Sequence, residues 1–407
     1  MQTASLGPSR IRRVSLGQSI AVSGVLATGF FAQSVRAEYT YTSIADSNGS
    51  YNVFNSFSPL AGPFGTASVS DNGTVAFWAT LDAGGEGIFY GSGGAVTTAA
   101  DTSAGPAGGF SNLGENPSIS STGVIGFSGT PTGGSNSVYS RNTAGGSVNP
   151  VAAPGGIVAS IPNNPTYNAN NQAAFRAFRT GGGEGIYRAG TGGLVEIVFG
   201  DNVPGGSDFD TFATTPGINA SGMVAFQARY FGAANSGVFI GNGTGGVTTI
   251  ADSFGSTFSN SFGSPDINDS GSVVFRAGLD AGGSGIFLAT GTTITTVIDS
   301  SGIFSSFGTG DINNDGLIAY SATLDAGGTG IYLGDGTRVI GTGDALFGST
   351  VTNVGFAHGL NNDGNIAFVY RLANGTQGVA LAVPEPGSAA ALLVTAGVLA
   401  MRRRRAG

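Results

Sequence analysis

Seven aromatic residues recur along this chain at intervals of 45 to 51 residues, and each follows a short turn sequence such as NASG at 219–222 or NNDG at 313–316. The seven residues are Phe77, Phe127, Phe175, Phe226, Phe275, Tyr320 and Phe368. Such constant spacing is typical of a repeat protein, in which each copy stacks on the next. The 407 residues are therefore better described as one array than as two or three unrelated domains.

The cleanest copy of the repeat covers residues 311–336. Residues 313–316 have the Asn and Gly that a type I turn prefers at its two ends. The apolar run 317–322 predicts a buried strand, a glycine-rich reversal follows, and residues 331–333 predict the return strand. A further strand begins at Arg338 after a second turn. Each unit of about 48 residues thus predicts four short strands.

The turn before each aromatic residue ends in Gly in six copies, and in the third copy Asn171 takes this place. Asn tolerates the left-handed backbone region better than other residues that carry a side chain. The exception therefore predicts a left-handed conformation at this position in all seven turns.

The two ends of the array complement each other. Residues 39–47 resemble the last strand of a unit, as at 248–253, although no unit precedes them. The seventh unit runs out at 378–382 without that last strand. We therefore predict an all-β, seven-bladed β-propeller that the N-terminal strand closes, which leaves no unpaired sheet edge. An open β-solenoid is the alternative, but it needs capping units that the sequence lacks.

Charge and composition limit the classes of function. The chain has no Cys, so neither disulfides nor thiolate metal sites can form. All 24 acidic residues lie between Glu38 and Glu385 together with eight of the sixteen Arg, so this part has a formal charge of −16, and Lys is absent. We therefore expect no nucleic-acid binding and no docking on an anionic membrane surface. An acidic body is compatible with solubility outside the cell or with a cation-rich matrix.

Residues 1–37 are typical of a secretory signal peptide. Arg10, Arg12 and Arg13 form a basic region, residues 20–31 are apolar, and cleavage is predicted between Ala37 and Glu38. Signal peptidase is the implied partner. A disordered cytosolic N-terminus is the alternative. The Arg pair at 12–13 is a weak twin-arginine pattern, and we favour the general secretory route.

The C-terminal end has three parts in order: Pro384-Glu385-Pro386, an apolar stretch at 387–401, and four Arg at 402–405. The apolar stretch is short for a free-standing membrane helix of about 20 residues, and the Arg cluster favours the cytoplasmic side. This arrangement resembles the PEP-CTERM sorting signal of Gram-negative bacteria. The resemblance implies transient membrane anchoring, recognition by an exosortase, and release to or attachment at the cell surface. A plain membrane anchor is the alternative.

Within the predicted propeller at residues 38–382, the part from roughly 60 to 382 resembles exported bacterial proteins built of tandem NxxGxxAF repeats. Residues 219–226 and 361–368 match that pattern fully, and residues 313–320 match with Tyr in place of Phe. The first two copies depart from it, with Ser70 and Ser120 in place of Asn. The resemblance implies a surface or extracellular location, outside the signal at 1–37 and the sorting segment 383–407, and brings no known activity.

Three local patterns have alternative chemical interpretations. Residues 311–316 begin like a calcium loop, D-x-N-x-D-G, but the twelfth position is Ala322 where an EF-hand needs Glu. Calcium therefore stays open, with turn chemistry as the favoured interpretation and no other cofactor expected. The glycine-rich segment 83–87 lacks the helix or Lys of a phosphate loop. His358 is the only His, and we interpret it as a structural residue before a turn.

The acidic residues recur symmetrically, in hairpin turns at Asp82, Asp280 and Asp325. Symmetry favours structure over catalysis, because catalysis needs one asymmetric place. The residues therefore predict a non-catalytic structural or interaction module in the envelope or biofilm matrix, with extracellular polysaccharide or a surface protein as partner. A carbohydrate-active propeller enzyme and a calcium-stabilised adhesion module are the alternatives. Function is expected where one copy departs from the others, as with the arginines of the third unit, Arg176, Arg179 and Arg188.

Overall fold

The computed structural model describes residues 39–385 with gaps at 55, 59–61, 65–66, 104–108, 163, 201–207, 214 and 245. In this part of the chain the strands form seven sheets of four or five strands and one two-stranded sheet, and no helix is present. The protein is a seven-bladed β-propeller, so the predicted fold class is confirmed. No helix capable of crossing a membrane occurs among the described residues. The predicted signal peptide and residues 386–407 lie outside them.

Each blade is an antiparallel sheet whose strands follow one another in sequence, and in blades 2 to 5 the first strand is broken in two. The closing strand is β1 (Tyr39–Asp46), and β2 (Ser56–Ser58) pairs with β3 (Gly62–Phe64) before blade 1. Blade 1 comprises β4 (Ser68–Val69), β5 (Val75–Thr80), β6 (Glu86–Gly91) and β7 (Thr97–Asp101). Blade 2 comprises β8 (Phe110–Leu113), β9 (Ser118–Ile119), β10 (Val124–Pro131), β11 (Ser137–Asn142) and β12 (Asn149–Ala152).

The next three blades share the five-strand pattern of blade 2. Blade 3 comprises β13 (Val158–Ser160), β14 (Thr166–Tyr167), β15 (Ala173–Arg179), β16 (Glu184–Gly190) and β17 (Gly193–Gly200). Blade 4 comprises β18 (Phe209–Phe212), β19 (Gly217–Ile218), β20 (Val224–Tyr230), β21 (Ser236–Gly241) and β22 (Val247–Asp252). Blade 5 comprises β23 (Phe258–Phe262), β24 (Asp266–Ile267), β25 (Val273–Leu279), β26 (Ser284–Thr290) and β27 (Thr293–Asp299).

The last two blades complete the ring. Blade 6 comprises β28 (Phe304–Ile312), β29 (Ile318–Leu324), β30 (Thr329–Leu333) and β31 (Arg338–Gly341). Blade 7 comprises β32 (Ala345–Leu346), β33 (Ser349–Gly355), β34 (Ile366–Leu372) and β35 (Gln377–Pro384), with β1 as its last strand. The two hairpins predicted for the sixth unit correspond to β29, β30 and β31.

Strand β1 closes the ring by antiparallel pairing with β35 over seven residue pairs, from Tyr39 opposite Pro384 to Asp46 opposite Gly378. The predicted closure by the N-terminal strand is therefore confirmed. The pairing reaches the first residue of the Pro-Glu-Pro motif, because Pro384 is the last residue of β35. Glu385 follows outside the strand.

The seven turns before the aromatic residues share one backbone geometry. In each, the amide of the fourth residue donates to the carbonyl of the first, as from Gly222 to Asn219 at 2.9 Å. The fourth residue has a positive φ in every copy, including 57° at Asn171. The left-handed conformation predicted from that exception is present in all seven turns.

The aromatic residues that mark the repeat are at most 1% exposed. In blades 1 to 6 each faces a second aromatic ring directly across the hairpin, as Phe275 faces Phe287. The centroid distances of these six pairs lie between 5.7 and 6.0 Å. In blade 7 the opposite residue is Ala380, and Tyr41 of the closing strand contacts Phe368 edge-on at 6.3 Å instead.

The hydrophobic core runs between blades rather than within one. Ala174 and Ile186 of blade 3, for example, pack in one cluster with Phe212, Phe226 and Phe239 of blade 4. Both faces of a blade are therefore covered by its neighbours, which explains the nearly continuous apolar runs of the middle strands.

The arginines of the third unit are held by internal partners. Arg176 pairs with Glu184, Arg179 pairs with Glu196 at 3.0 Å, and the Arg188 guanidinium donates to the carbonyl of Gly222 in blade 4. The hypothesis that these residues carry a distinct function has no support in their contacts.

Candidate functional site

A polar cavity of about 160 Å³ lies on the axis of the propeller, where all seven blades contribute residues to its wall. The contributions come from the ends of the innermost strands and from the turns that follow them. Backbone polar groups at such strand ends need partners, and the repeat supplies them from the adjacent blade.

Five Asn side chains form a belt around this axis, and each is the first residue of its turn. Each Nδ2 donates to the carbonyl of the equivalent residue in the next blade, as from Asn219 to Asn268 at 3.1 Å, while Oδ1 accepts from the backbone four residues ahead. The Asn belt consists of Asn168, Asn219, Asn268, Asn313 and Asn361, whose last acceptor is Ser70 of blade 1. Ser70 and Ser120, the two departures from the repeat pattern, end the belt.

A second set of links lies beside the belt, at the next residue of the turn. The side-chain Nδ2 of Asn362 donates to Asp71 Oδ2 at 2.9 Å, and the side-chain Nδ2 of Asn314 donates to Asp269 Oδ2 at 2.7 Å. The predicted turn role of these residues is thus correct but incomplete, because the same side chains also join the blades. The sequence did contain a signal for this second role. Asn recurs as the first residue of five turns, although turn geometry alone accepts Ser or Asp equally well.

We expect Asn219→Ala to destabilise the protein by about 2–3 kcal/mol, because two buried backbone groups lose their partners. Asn219→Ser should lose about half as much, since a Ser hydroxyl accepts from the chain ahead, as Ser120 does from Val124, but does not reach the next blade. Urea unfolding of the three proteins measures the series. No loss for Asn219→Ser would contradict the link between blades.

The position two residues before the first residue of each of the seven turns makes the cavity asymmetric. In blades 1 to 3 hydroxyl groups occupy it and bond to the next blade, as Thr166 does to the carbonyl of Pro216 at 2.6 Å. Blades 5 and 6 place aspartates there. The seven residues are Ser68, Ser118, Thr166, Gly217, Asp266, Asp311 and Gly359.

The two aspartates link consecutive blades through their carboxyl groups. Asp266 Oδ2 accepts from the amide of Ile312 at 2.9 Å, and Asp311 Oδ2 accepts from the amide of Gly359 at 2.8 Å. Burial, and then the charge of Asp311, raise the pKa of Asp266 to about 6 against an ordinary 3.8, while His358 opposes the rise. Burial also raises the pKa of Asp311.

His358 lines the same cavity and has a left-handed backbone, with φ at 54°. The sequence analysis interpreted His358 as a structural residue before a turn and did not predict that it lines a cavity. The structure therefore brings together three titratable residues from blades 5, 6 and 7, Asp266, Asp311 and His358. Sequence reasoning overlooked Asp266.

Other acidic residues that recur in the repeat lie in hairpin turns or at strand ends. Asp82, Asp280 and Asp325 are exposed in their hairpin turns. Asp252 and Asp299 accept from backbone amides two residues ahead, at 3.1 and 2.9 Å.

The calcium-loop interpretation of 311–316 does not hold, because the Asn313 side chain bonds to Leu317 and Asn361 and Asp315 is exposed. Within the described residues no group of three or more His, Asp or Glu side chains could hold a metal ion.

Comparison with known families decides the classification. A family of unknown function, DUF7453, matches residues 162–390, which is more than half of the chain and includes the three axial residues. The chain belongs to the DUF7453 family. No curated protein matches its sequence.

Solved structures resemble this DUF7453 member in fold. An oligogalacturonate lyase from Vibrio parahaemolyticus has a TM-score of 0.54 at 10% identity and covers 87% of this chain and 100% of its own. A puromycin-hydrolyzing peptidase from Mycobacterium tuberculosis has a TM-score of 0.51 at 12% identity, with 82% and 54% covered. TolB from Acinetobacter baumannii has a TM-score of 0.43 at 12% identity, with 66% and 63% covered. The chain thus spans about half of the peptidase and under two thirds of TolB. Sequence identities of 10–12% show a shared fold and nothing more.

The axial pair predicts an unusual pH dependence for this DUF7453 member. The pKa of Asp266 is raised from 3.8 in the unfolded chain to about 6 in the folded protein. Its contribution to stability is therefore fully present below pH 3.8 and is lost as the pH rises through about 6. We expect a loss of up to about 3 kcal/mol over this window. Urea unfolding in chelator across the window, with Asp266→Asn as the comparison, measures it. An identical pH profile in the variant would contradict the assignment.

Proposed function

We propose that the protein is an exported, non-catalytic binding module of the bacterial cell surface or extracellular matrix. The observation that carries this proposal is that the repeated polar side chains hydrogen-bond to the neighbouring blades. The Asn belt joins one blade to the next, as from Asn219 to Asn268, so these residues supply rigidity rather than chemistry. A rigid ring leaves its outer turns available for contacts.

The exposed charge indicates the kind of partner. Hairpin-turn aspartates such as Asp82, Asp280 and Asp325 are exposed, and residues 38–385 carry eight Arg against 24 acidic side chains. An acidic surface favours cationic partners or polysaccharide bridged by cations, and disfavours anionic membranes and nucleic acid. Extracellular polysaccharide or a basic surface protein is the partner class we propose.

Export and sorting are part of the same proposal. Signal peptidase would cleave between Ala37 and Glu38, and an exosortase would recognise Pro384-Glu385-Pro386 after transient anchoring through the segment that follows. Mass spectrometry of the protein recovered from a Gram-negative host tests both steps. A mature N-terminus at Glu38 and loss of the tail only when exosortase is present would support them, and an intact cytoplasmic chain would contradict them.

A carbohydrate-active enzyme is the second candidate, because the axis carries an asymmetric pair of aspartates at Asp266 and Asp311. Carboxyl groups with raised pKa values in a cavity are typical of active sites as well as of structural clusters. Incubation of the purified protein with acidic and neutral polysaccharides separates the two functions. Binding without new chain ends supports the binding module. Turnover that Asp266→Asn abolishes would overturn it in favour of the enzyme.

A further inference from the structure

One carboxylate oxygen at the axis has no partner. Asp311 is 2% exposed, and its Oδ1 makes no hydrogen bond within the described part of the chain, although Asp311 lines the axial cavity. The other oxygen, Oδ2, accepts from the amide of Gly359. A buried carboxylate oxygen without a partner is costly, because it has lost its water and gained nothing in return.

His358 and the backbone amides of residues 358–360 offset part of the cost of burying Asp311, but the other carboxyl groups of the wall do not. Asp266, Asp71 and Asp269 line the same cavity, and His358 is the only basic residue in its wall. Two carboxyl groups in one buried site repel each other when both are ionised. A mobile positive charge would relieve the repulsion and supply the missing partner of Asp311 Oδ1.

The chemistry of the wall restricts the class of cation. The available ligands are carboxylate oxygens and backbone carbonyls, which are oxygen ligands that calcium prefers. A transition-metal site built from several imidazoles or carboxylates has no ligand set here. The cavity of about 160 Å³ has room for an ion with several retained waters.

We propose that the axial cavity binds a hard divalent cation, Ca²⁺, at the carboxyl groups of Asp266 and Asp311. The ion joins blades 5 and 6, whereas a loop confined to residues 311–316 would join nothing beyond its own turn. Its ligands lie in the body of the propeller, so the proposal is independent of what the outer surface binds.

Calcium titration of the full-length protein, freed of metal by a chelator, tests this site. At about pH 8 we expect a dissociation constant on the order of 10⁻⁴–10⁻³ M, in the range of extracellular calcium modules. The melting temperature should rise by about 2–4 °C at tenfold excess over that constant. Magnesium and matched sodium chloride should give clearly smaller shifts, because magnesium keeps its waters and demands a stricter geometry.

Asp266→Asn and Asp311→Asn should each abolish most of the calcium shift. The matched control is Asp325→Asn, which changes an exposed aspartate in a hairpin turn and should retain the full shift. Calcium should also stabilise less at about pH 5, because protons then compete for the same carboxyl groups. No shift with millimolar calcium, or an equal shift in wild type and both axial variants, would overturn the proposal.

Terbium luminescence gives a second readout that does not depend on unfolding. Terbium replaces calcium at oxygen sites and emits when a nearby tyrosine is excited, and Tyr167 lines the cavity. Emission that calcium displaces and that Tyr167→Phe and Asp266→Asn both reduce supports an axial ion. Displaceable emission that is unchanged in both variants would place the ion elsewhere and contradict the site.

Discussion

Deletion of residues 39–47 is expected to unfold the whole propeller instead of loosening one blade. The deletion removes β1 and leaves β35 without the partner that it pairs with over seven residues. Backbone hydrogen bonds at about 1 kcal/mol each, and the buried side chains of Tyr39 and Ile44, together approach about 10 kcal/mol. That loss equals the entire stability of a typical domain. Circular dichroism and urea unfolding measure the outcome, and an unchanged melting curve would contradict closure by β1.

A permuted chain provides the matched control for this deletion. Because Tyr39 lies opposite Pro384, the segment 39–47 can follow residue 384 through an Asn-Gly linker, which favours a tight hairpin. The permuted protein should recover most of the lost stability, since the same strand pairs in the same register. Failure to recover would show that the deleted residues act in some way other than by closing the ring.

Phe275→Ala is expected to cost about 3–5 kcal/mol, because a large buried ring is replaced by a cavity. Phe275 is 0% exposed and contacts the rings of Phe258, Phe262 and Phe287. The packing around it combines blade 5 with Ala225, Val238 and Ala251 of blade 4, so little can collapse into the space. Urea unfolding with a check that the m-value is unchanged gives the measurement.

The control for the core substitution is another phenylalanine on the surface. Phe254 is 61% exposed, and within the described part of the chain its one ring contact is with Tyr230, at a centroid distance of 4.8 Å. Phe254→Ala should change stability by less than about 1 kcal/mol. Similar losses for both substitutions would contradict the role of the repeated ring as the blade anchor.

The fold could be predicted from the sequence, because the motifs that specify it are short and recur in every copy of the repeat. Seven turns with the same left-handed fourth residue, of which Asn171 is the informative exception, mark seven copies. The orphan strand at 39–47 and the incomplete last unit specify how the ring closes. Each of these features is visible in residues close together in the chain, and closure follows from a comparison of the two ends.

The axial site was beyond sequence reasoning, because its members meet only through the ring. Asp266 and Asp311 are 45 residues apart in sequence and occupy a position where other blades have Ser, Thr or Gly. In the sequence each one resembles the start of its own turn. Likewise, the acceptor of an Asn side chain is the carbonyl of a different blade, as Asn268 is for Asn219. A turn motif does not reveal a partner 49 residues away.

Closure by β1 also determines how the protein bears mechanical load. Strand β35 lies between β1 and β34, and it is paired with β34 up to Ala382 and with β1 up to Pro384. A pull applied at Glu385 acts along β35 and loads two rows of hydrogen bonds in shear at the same time. Without β1 the same pull would act on a strand held on one side only. A protein tethered by this end would therefore resist flow through a strand that has hydrogen-bonded neighbours on both sides.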